Sequence, residues 1–288
     1  MPRTLKTISS SDLLERLSSP GGREGFSPLV GVPFVLLEVD DECEPGRVAD
    51  LGDQLRSLPC PVIGIGRTDA ALAHASDVVV ERLQDAEPLI RNIEAHPLAA
   101  ATLVQLLRNN EQTSVPNGLF AESLAYATLQ GGAEFHAYLK KRGHTPAPAP
   151  SPDPAVQITR EGDILNLVLN RPQHGNAFSM AMRDGLSEGL HLLAADPQIK
   201  KAILSGAGRS SCIGGDLQEF GLAEDPPRAH LVRSTRNVGL LIHEQASRIE
   251  CRVHGACIGS GIELPALLPT VSLPLKRPFF SCRKLPWA

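Results

Sequence analysis

Two glycine-rich stretches hold the residues best suited to chemistry, "SGAGRSSCIGGDL" (Ser205–Leu217) and "HGACIGSGIEL" (His254–Leu264). Each follows a short apolar run, so each is expected to form a turn leaving a β-strand. Neither is a phosphate loop. A Walker turn needs Lys and then Ser or Thr after its second glycine, and no lysine lies in either stretch. A dinucleotide turn needs GxGxxG; "GAGRSS" supplies the first half alone, as does "GIGRTD" further upstream. Paired glycines suit another task. With no Cβ in the way, backbone N–H groups can converge. Two such turns on adjacent strands can aim one N–H each at a single carbonyl oxygen, which makes an oxyanion hole. Glu263 falls in the first turn of the helix expected to follow. There a carboxylate either works as an acid/base or only complements the helix dipole.

The elements that must position these turns are legible in the surrounding pattern. The chain has 288 residues, enough for two domains. "TPAPAPSPDP" (Thr145–Pro154) has five prolines in ten residues and reads as a semi-rigid linker between 1–144 and 155–288. In the first part, apolar runs at Pro33–Val39, Cys60–Gly66 and Ser76–Glu81 predict strands of a small α/β domain. Val48, Leu51 and Leu55 share a helical face between the first two. Pro97–Gly143 is helical text, with a break expected at Asn117–Gly118 and with Glu122 and Glu134 expected on the helix surface. In the second part, Leu165, Leu167 and Leu169 alternate as in a half-buried strand. Ser179 is placed to cap a helix whose Met182, Leu186, Leu190 and Leu193 share one face. "KKAILSGAG" predicts a further strand. "HLVRSTRNVGLLIHEQASR" predicts one long helix packing through Leu231, Val238, Leu241 and Ile242, and Ile249, Cys251 and Val253 alternate again. Strand and helix in this alternation indicate the α/β class.

Composition excludes several functions. The chain is 42% hydrophobic and 21% charged with a formal net charge of -4. The basic footprint of a nucleic-acid or anionic-membrane surface is missing. No apolar run long enough to span a bilayer and no secretory h-region is visible, so a cytoplasmic protein is expected. The six cysteines, Cys43, Cys60, Cys212, Cys251, Cys257 and Cys282, form no CxxC pair. They read as free thiols, and no metal site is expected.

Three motifs in order resemble the crotonase superfamily, the enoyl-CoA hydratase/isomerase family, over about Val156–Ala266. "LNLVLNRPQHGNAFSMAM" is similar to the family's opening strand, LNRP turn and first helix. "GRSSCIGGDLQEF" is similar to its glycine–aspartate turn, and "RVHGACIGSGIELPAL" to its V-x-G-x-x-x-G-G-G-x-E-L turn. The resemblance implies a crotonase-like (ββα) superhelix for the second domain. It implies that Gly215 gives the first oxyanion N–H and that Ser260, at the middle of the triple glycine, gives the second. It implies that Ser211, Cys212, Ile213 and Gly214 help to hold an acyl-CoA, and that Glu263 is one of two acid/base glutamates. Asp216 is then structural, and His254 and Cys257 are packing residues. Coenzyme A would be part of the substrate, with no separate cofactor, and a trimer-based homo-oligomer would be expected of the intact family.

The resemblance stops at the tail, "LLPTVSLPLKRPFFSCRKLPWA". The family's second glutamate, in a stretch like F-x-L-P-E-V-x-x-G, has no match there. Codons permitted for Phe280–Ala288 read, in another frame, Gln-Leu-Pro-Glu-Val-Ala-Met-Gly. The expectation is therefore a domain incomplete at its C-terminus, through truncation or a frame slip after about Leu264. The first domain bears a weaker resemblance, as a degenerate crotonase-like half. Two readings stay open. One is an enoyl-CoA hydratase or isomerase, or an enzyme for another crotonase-type reaction such as thioester hydrolysis or decarboxylation. The other is a non-catalytic partner subunit or pseudoenzyme that at most binds CoA esters.

Overall fold

A computed structural model describes residues 5–39, 45–143, 152–223, 225–273 and 279–281. Two compact units divide the chain, one running to Ser114 and one starting at Val115. The first contains α1 (Ser10–Ser18), β1 (Val35–Val39), α2 (Pro45–Arg56), β2 (Val62–Gly66), β3 (Val78–Val80), α3 (Leu83–Ala95) and α4 (Pro97–Asn110). Its three strands form a parallel sheet in the order β1-β2-β3. Continuous apolar strands suit a sheet covered on both faces. Leu37 and Val39 pack with Leu13 of α1 and Leu51 and Leu55 of α2. Leu36 and Ile63 face the other way, onto Ala86, Ile90 and Ile93 of α3.

The second unit begins with α5 (Val115–Gln130) and α6 (Ala133–Arg142). There follow β4 (Val156–Glu161), β5 (Ile164–Leu169), α7 (Met180–Ala195), β6 (Lys201–Gly206), α8 (Pro226–Thr235) and α9 (Val238–Glu244). β7 (Ile249–Arg252), β8 (Ala256–Ile258), α10 (Ser260–Ala266), β9 (Val271–Ser272) and β10 (Phe279–Ser281) complete it. The main sheet has the order β4-β5-β6-β7-β9. β4 and β5 form an antiparallel hairpin and the remaining pairs are parallel. Leu167, Leu204, Cys251 and Val271 stand in register across four strands. A second layer of short strand pairings lies beyond it. Phe178 bridges Gly215, Cys212 bridges Cys257, and β10 pairs with β8. A sheet strand, a short second-layer strand and a helix thus repeat, most completely as β7–β8–α10. This is the ββα order expected of the second domain.

Local chemistry explains most of these elements. Ser179 caps α7 by accepting the Met182 N–H at 3.2 Å, and Met182, Leu186, Leu190 and Leu193 are buried as their spacing predicts. Other expectations need correction. Helix α5 runs through Asn117–Gly118, because Pro116 sits in its first turn, where a missing N–H costs nothing. The single helix expected from His230 is two, since Asn237 accepts the Leu240 N–H and starts α9 afresh. Leu231 is consequently 63% exposed, while Val238 and Ile242 are buried. The units also part earlier than the expected boundary at 144. α5 and α6 belong with the second unit because α5 packs on α8 and α9. Most of the proline-rich linker, residues 145–151, lies outside the described residues, as do Cys43, Cys282 and the tail beyond Ser281.

Candidate active site

The two glycine turns meet backbone to backbone. The Ser211 N–H donates to the His254 carbonyl at 2.9 Å, and the Ile258 N–H donates to the Cys212 carbonyl at 3.0 Å. Such contact leaves no space for side chains at particular glycines. A Cβ on Gly255, whose φ is +60°, would lie 1.9 Å from the Arg209 carbonyl oxygen. A Cβ on Gly261 would lie 2.2 Å from the Cys212 carbonyl oxygen. Gly214 has φ +98° and approaches the Ile258 carbonyl, while a Cβ on Gly259 would come 3.5 Å from the Gly214 Cα. The glycine pattern is therefore the signature of two turns pressed together.

Their orientation frees two donors. Phe178 takes up the neighbours of Gly215: its N–H donates to the Gly214 carbonyl at 2.7 Å and its carbonyl accepts the Asp216 N–H at 2.9 Å. In a parallel bridge the central residue points its own N–H the other way. The Gly215 N–H donates to no described residue, and Gly215 is exposed. At the other turn, Gly259 carries the left-handed φ of +51° that starts α10, and its carbonyl accepts from Ile262 and Glu263. The Ser260 N–H, first in the helix, has no acceptor among the described residues, as expected of a helix start.

The side chains around these donors divide sharply. Ser211 is 5% exposed, its hydroxyl accepting the His254 N–H at 2.6 Å and donating to the His254 carbonyl at 3.0 Å. Cys212 is buried beside Ser260, with its Sγ 3.7 Å from Ser260 Oγ, and burial pushes its thiol pKa up. Of the four residues expected to hold a substrate, Ile213 alone presents its side chain to solvent, at 43% exposure. Ser211 and Cys212 can therefore contribute through main chain and shape. Asp216 accepts from buried Arg171 at 2.8 Å and from the Gln218 N–H at 3.1 Å, which makes it a structural anchor of the turn. His254 holds the Gly208 carbonyl through Nε2 at 2.9 Å. Cys257 is fully buried in the core.

Glu263 keeps solvent access, yet protein crowds its carboxyl, and this desolvation raises its pKa. Glu122 on α5 is also accessible, as the sequence predicts for a surface helix residue. Its pKa is raised as well, by burial first and by the negative charge of Glu263 second, with Arg233 of α8 opposing. The structure thus brings Glu122 within electrostatic reach of Glu263. The sequence gives one hint of this, a lone acid in the apolar stretch "GLFAESLAYATLQ". Nothing in the spacing points from one glutamate to the other.

A family profile described as enoyl-CoA hydratase/isomerase matches residues 159–268. These residues are thus similar to the enoyl-CoA hydratase/isomerase family. The chain is 30% identical over 121 residues to the peroxisomal Delta(3,5)-Delta(2,4)-dienoyl-CoA isomerase of Arabidopsis thaliana, covering 38% of this chain and 44% of that protein. It is 32% identical over 108 residues to the 1,2-epoxyphenylacetyl-CoA isomerase of Escherichia coli K12, covering 36% of this chain and 41% of that one. Among solved structures, an enoyl-CoA hydratase of Mycobacterium smegmatis is similar at 30% identity and a TM-score of 0.39, over 42% of this chain and 48% of that one. The chain thus spans less than half the length of these relatives. No described helix is long and apolar enough to cross a membrane.

Proposed function

We propose that the second unit acts on acyl-CoA thioesters by stabilising an enolate in an oxyanion hole formed by the Gly215 and Ser260 N–H groups. One observation carries this reading: two turns locked together each leave one N–H unpaired, with Glu263 in the first turn of the helix that follows. The thioester oxygen would accept both N–H groups. As C2 loses or gains a proton, charge moves onto that oxygen, where fixed donors already wait. Glu263 takes or returns the C2 proton. Its raised pKa makes it a stronger base once ionised and brings its titration nearer to neutral pH. The backbone of Ser211–Gly214 and the exposed side chain of Ile213 would line the thioester. Coenzyme A belongs to the substrate in this reading, and trimer-based assembly is part of it.

Exchange of the C2 hydrogens of a saturated acyl-CoA in D₂O tests the proposal, because it needs the hole and a single base. Glu263→Gln is expected to slow exchange by about 100-fold or more with little change in KM. Exchange unaltered by this substitution would sink the assignment. One observation favours the non-catalytic alternative. The half-open space beside Ser260, Gly261 and Cys212 is about 20 Å³, room for a single water. In the proposed reading an acyl group would lie outside this space, on the side where Ile213 and Glu263 are exposed. A protein that binds CoA esters with no exchange would fit that alternative.

A further inference from the structure

We infer that Glu122, on a helix upstream of the hydratase/isomerase segment, is the second acid–base carboxylate of this site and stands opposite Glu263. The inference rests on the acyl-CoA reading above and supplies what that reading lacks for hydration, a second proton carrier.

Packing brings together the segments that carry the two carboxylates. α5 lies on α8 and α9 within the second unit. Gly239 of α9 is the meeting point, since a Cβ there would touch Leu119 of α5 and Leu267 after α10, each at 3.4 Å. Glu122 is one turn along from Leu119, and Glu263 is one turn back from Leu267. Residues three and four apart share a helix face, so the convergence of the leucines carries the two glutamates toward one another. Both remain open to solvent, where a substrate can enter.

The charges around Glu122 are arranged for a pair with one proton. α8 contributes Arg233, whose guanidinium lies over the Tyr126 ring at 4.2 Å and reaches the Ser123 hydroxyl at 3.4 Å. His230 of α8 pairs with that same hydroxyl at 2.9 Å. Tyr126 is one turn along α5, and α10 contributes Glu263. Burial raises both carboxyls, and Glu122 alone is raised further by its partner's charge. Two crowded carboxylates resist ionising together. The pair thus holds one proton between its two carboxyls.

The hydration step then balances. Ionised Glu122, beside Arg233, takes a proton from water as the water oxygen bonds to C3 of an enoyl thioester. The C2–C3 π pair moves toward the carbonyl, whose oxygen becomes the enolate held by Gly215 and Ser260. Protonated Glu263 delivers its proton to C2 and the carbonyl re-forms. One water has been added, and the solvent-accessible pair resets by exchanging protons with bulk water.

The full-length protein tests this in two measurements. The first titrates the Glu122 side-chain carboxyl by ¹³C NMR in the wild type and in Glu263→Gln, and needs no turnover. The midpoint of Glu122 is expected to fall when the Glu263 charge is removed; an unchanged midpoint overturns the pair. The second compares crotonyl-CoA hydration with C2 exchange. Glu122→Gln is expected to lower the kcat of hydration by about 100-fold, with KM within about 3-fold and with C2 exchange largely kept. Glu188→Gln, on the exposed side of α7, should change neither. Hydration by Glu122→Gln within about 3-fold of wild type overturns the assignment while leaving the enolate reading intact. A wild type inactive in both reactions overturns the enolate reading itself, and the catalytic role of Glu122 falls with it.

Discussion

At the scale of single residues, the site depends on what backbone can do that side chains cannot. Gly214 and Gly215 are neighbours with different obligations. Gly214 has a left-handed φ and a Cβ there would approach the Ile258 carbonyl at 3.2 Å. The Gly215 φ is not left-handed, and its Cβ would meet the Phe220 ring at an ordinary 3.4 Å. Gly214→Ala is therefore expected to cost about 2 kcal/mol or more in urea unfolding, whereas Gly215→Ala should cost about 0.5 kcal/mol or less. Gly215→Ala also retains its N–H, so its C2-exchange rate should stay within about 10-fold of wild type. Large loss of activity in a folded Gly215→Ala protein would count against a main-chain donor at that position. The same logic makes Ser260 acceptable in a run where the resemblance expects glycine. In the proposed role its N–H is the working atom, and its side chain rests beside Cys212.

At the scale of elements, the carboxylates act in opposite senses on stability. Glu250 of β7 joins three strands by accepting from Lys201 of β6, Arg252 of its own strand and Ser272 of β9. These partners pull its pKa down to about 2. The unfolded chain then binds its proton first as pH falls, so its contribution is complete above the ordinary value of 4.5 and is lost toward about 2. Glu122 and Glu263 have raised values. The stability linked to them is complete below the ordinary 4.5 and is lost as pH rises through their folded values. Urea midpoints measured against pH should separate the two effects. Glu250→Gln should flatten the acid limb, and Glu122→Gln or Glu263→Gln should flatten the decline above it. Strands such as β5 were legible because alternation marks a half-buried face. β4 was missed because it is an edge strand, mostly exposed, with a burial pattern that does not alternate cleanly.

At the scale of the molecule, the division into units differs from the punctuation of the chain. Prolines mark a linker in sequence, but a domain is bounded where buried contacts end. α5 is apolar around much of its circumference, so it needs cover on more than one side. It finds cover on α8 and α9, with Phe120 edge-on to His230 at a centroid distance of 5.5 Å. A chain starting at Val115 is expected to unfold cooperatively in urea. One starting at Pro152 should bind a hydrophobic dye in its native baseline, because Val238 and Ile242 lose part of their cover. Equal dye binding by the two would place α5 and α6 outside the second unit's core.

The sequence by itself determined the α/β class, the strands and helices with clear periodicity, and the two glycine turns with Glu263 beside them. Those features are local, set by backbone freedom and by which face of an element is apolar. Tertiary structure alone decided which N–H groups stay unpaired, that Ser211 and Cys212 turn inward, and that Glu122 comes to Glu263. Each of these depends on contacts between segments far apart in the chain. The pattern within a segment says that it will bury a face, and not against which partner.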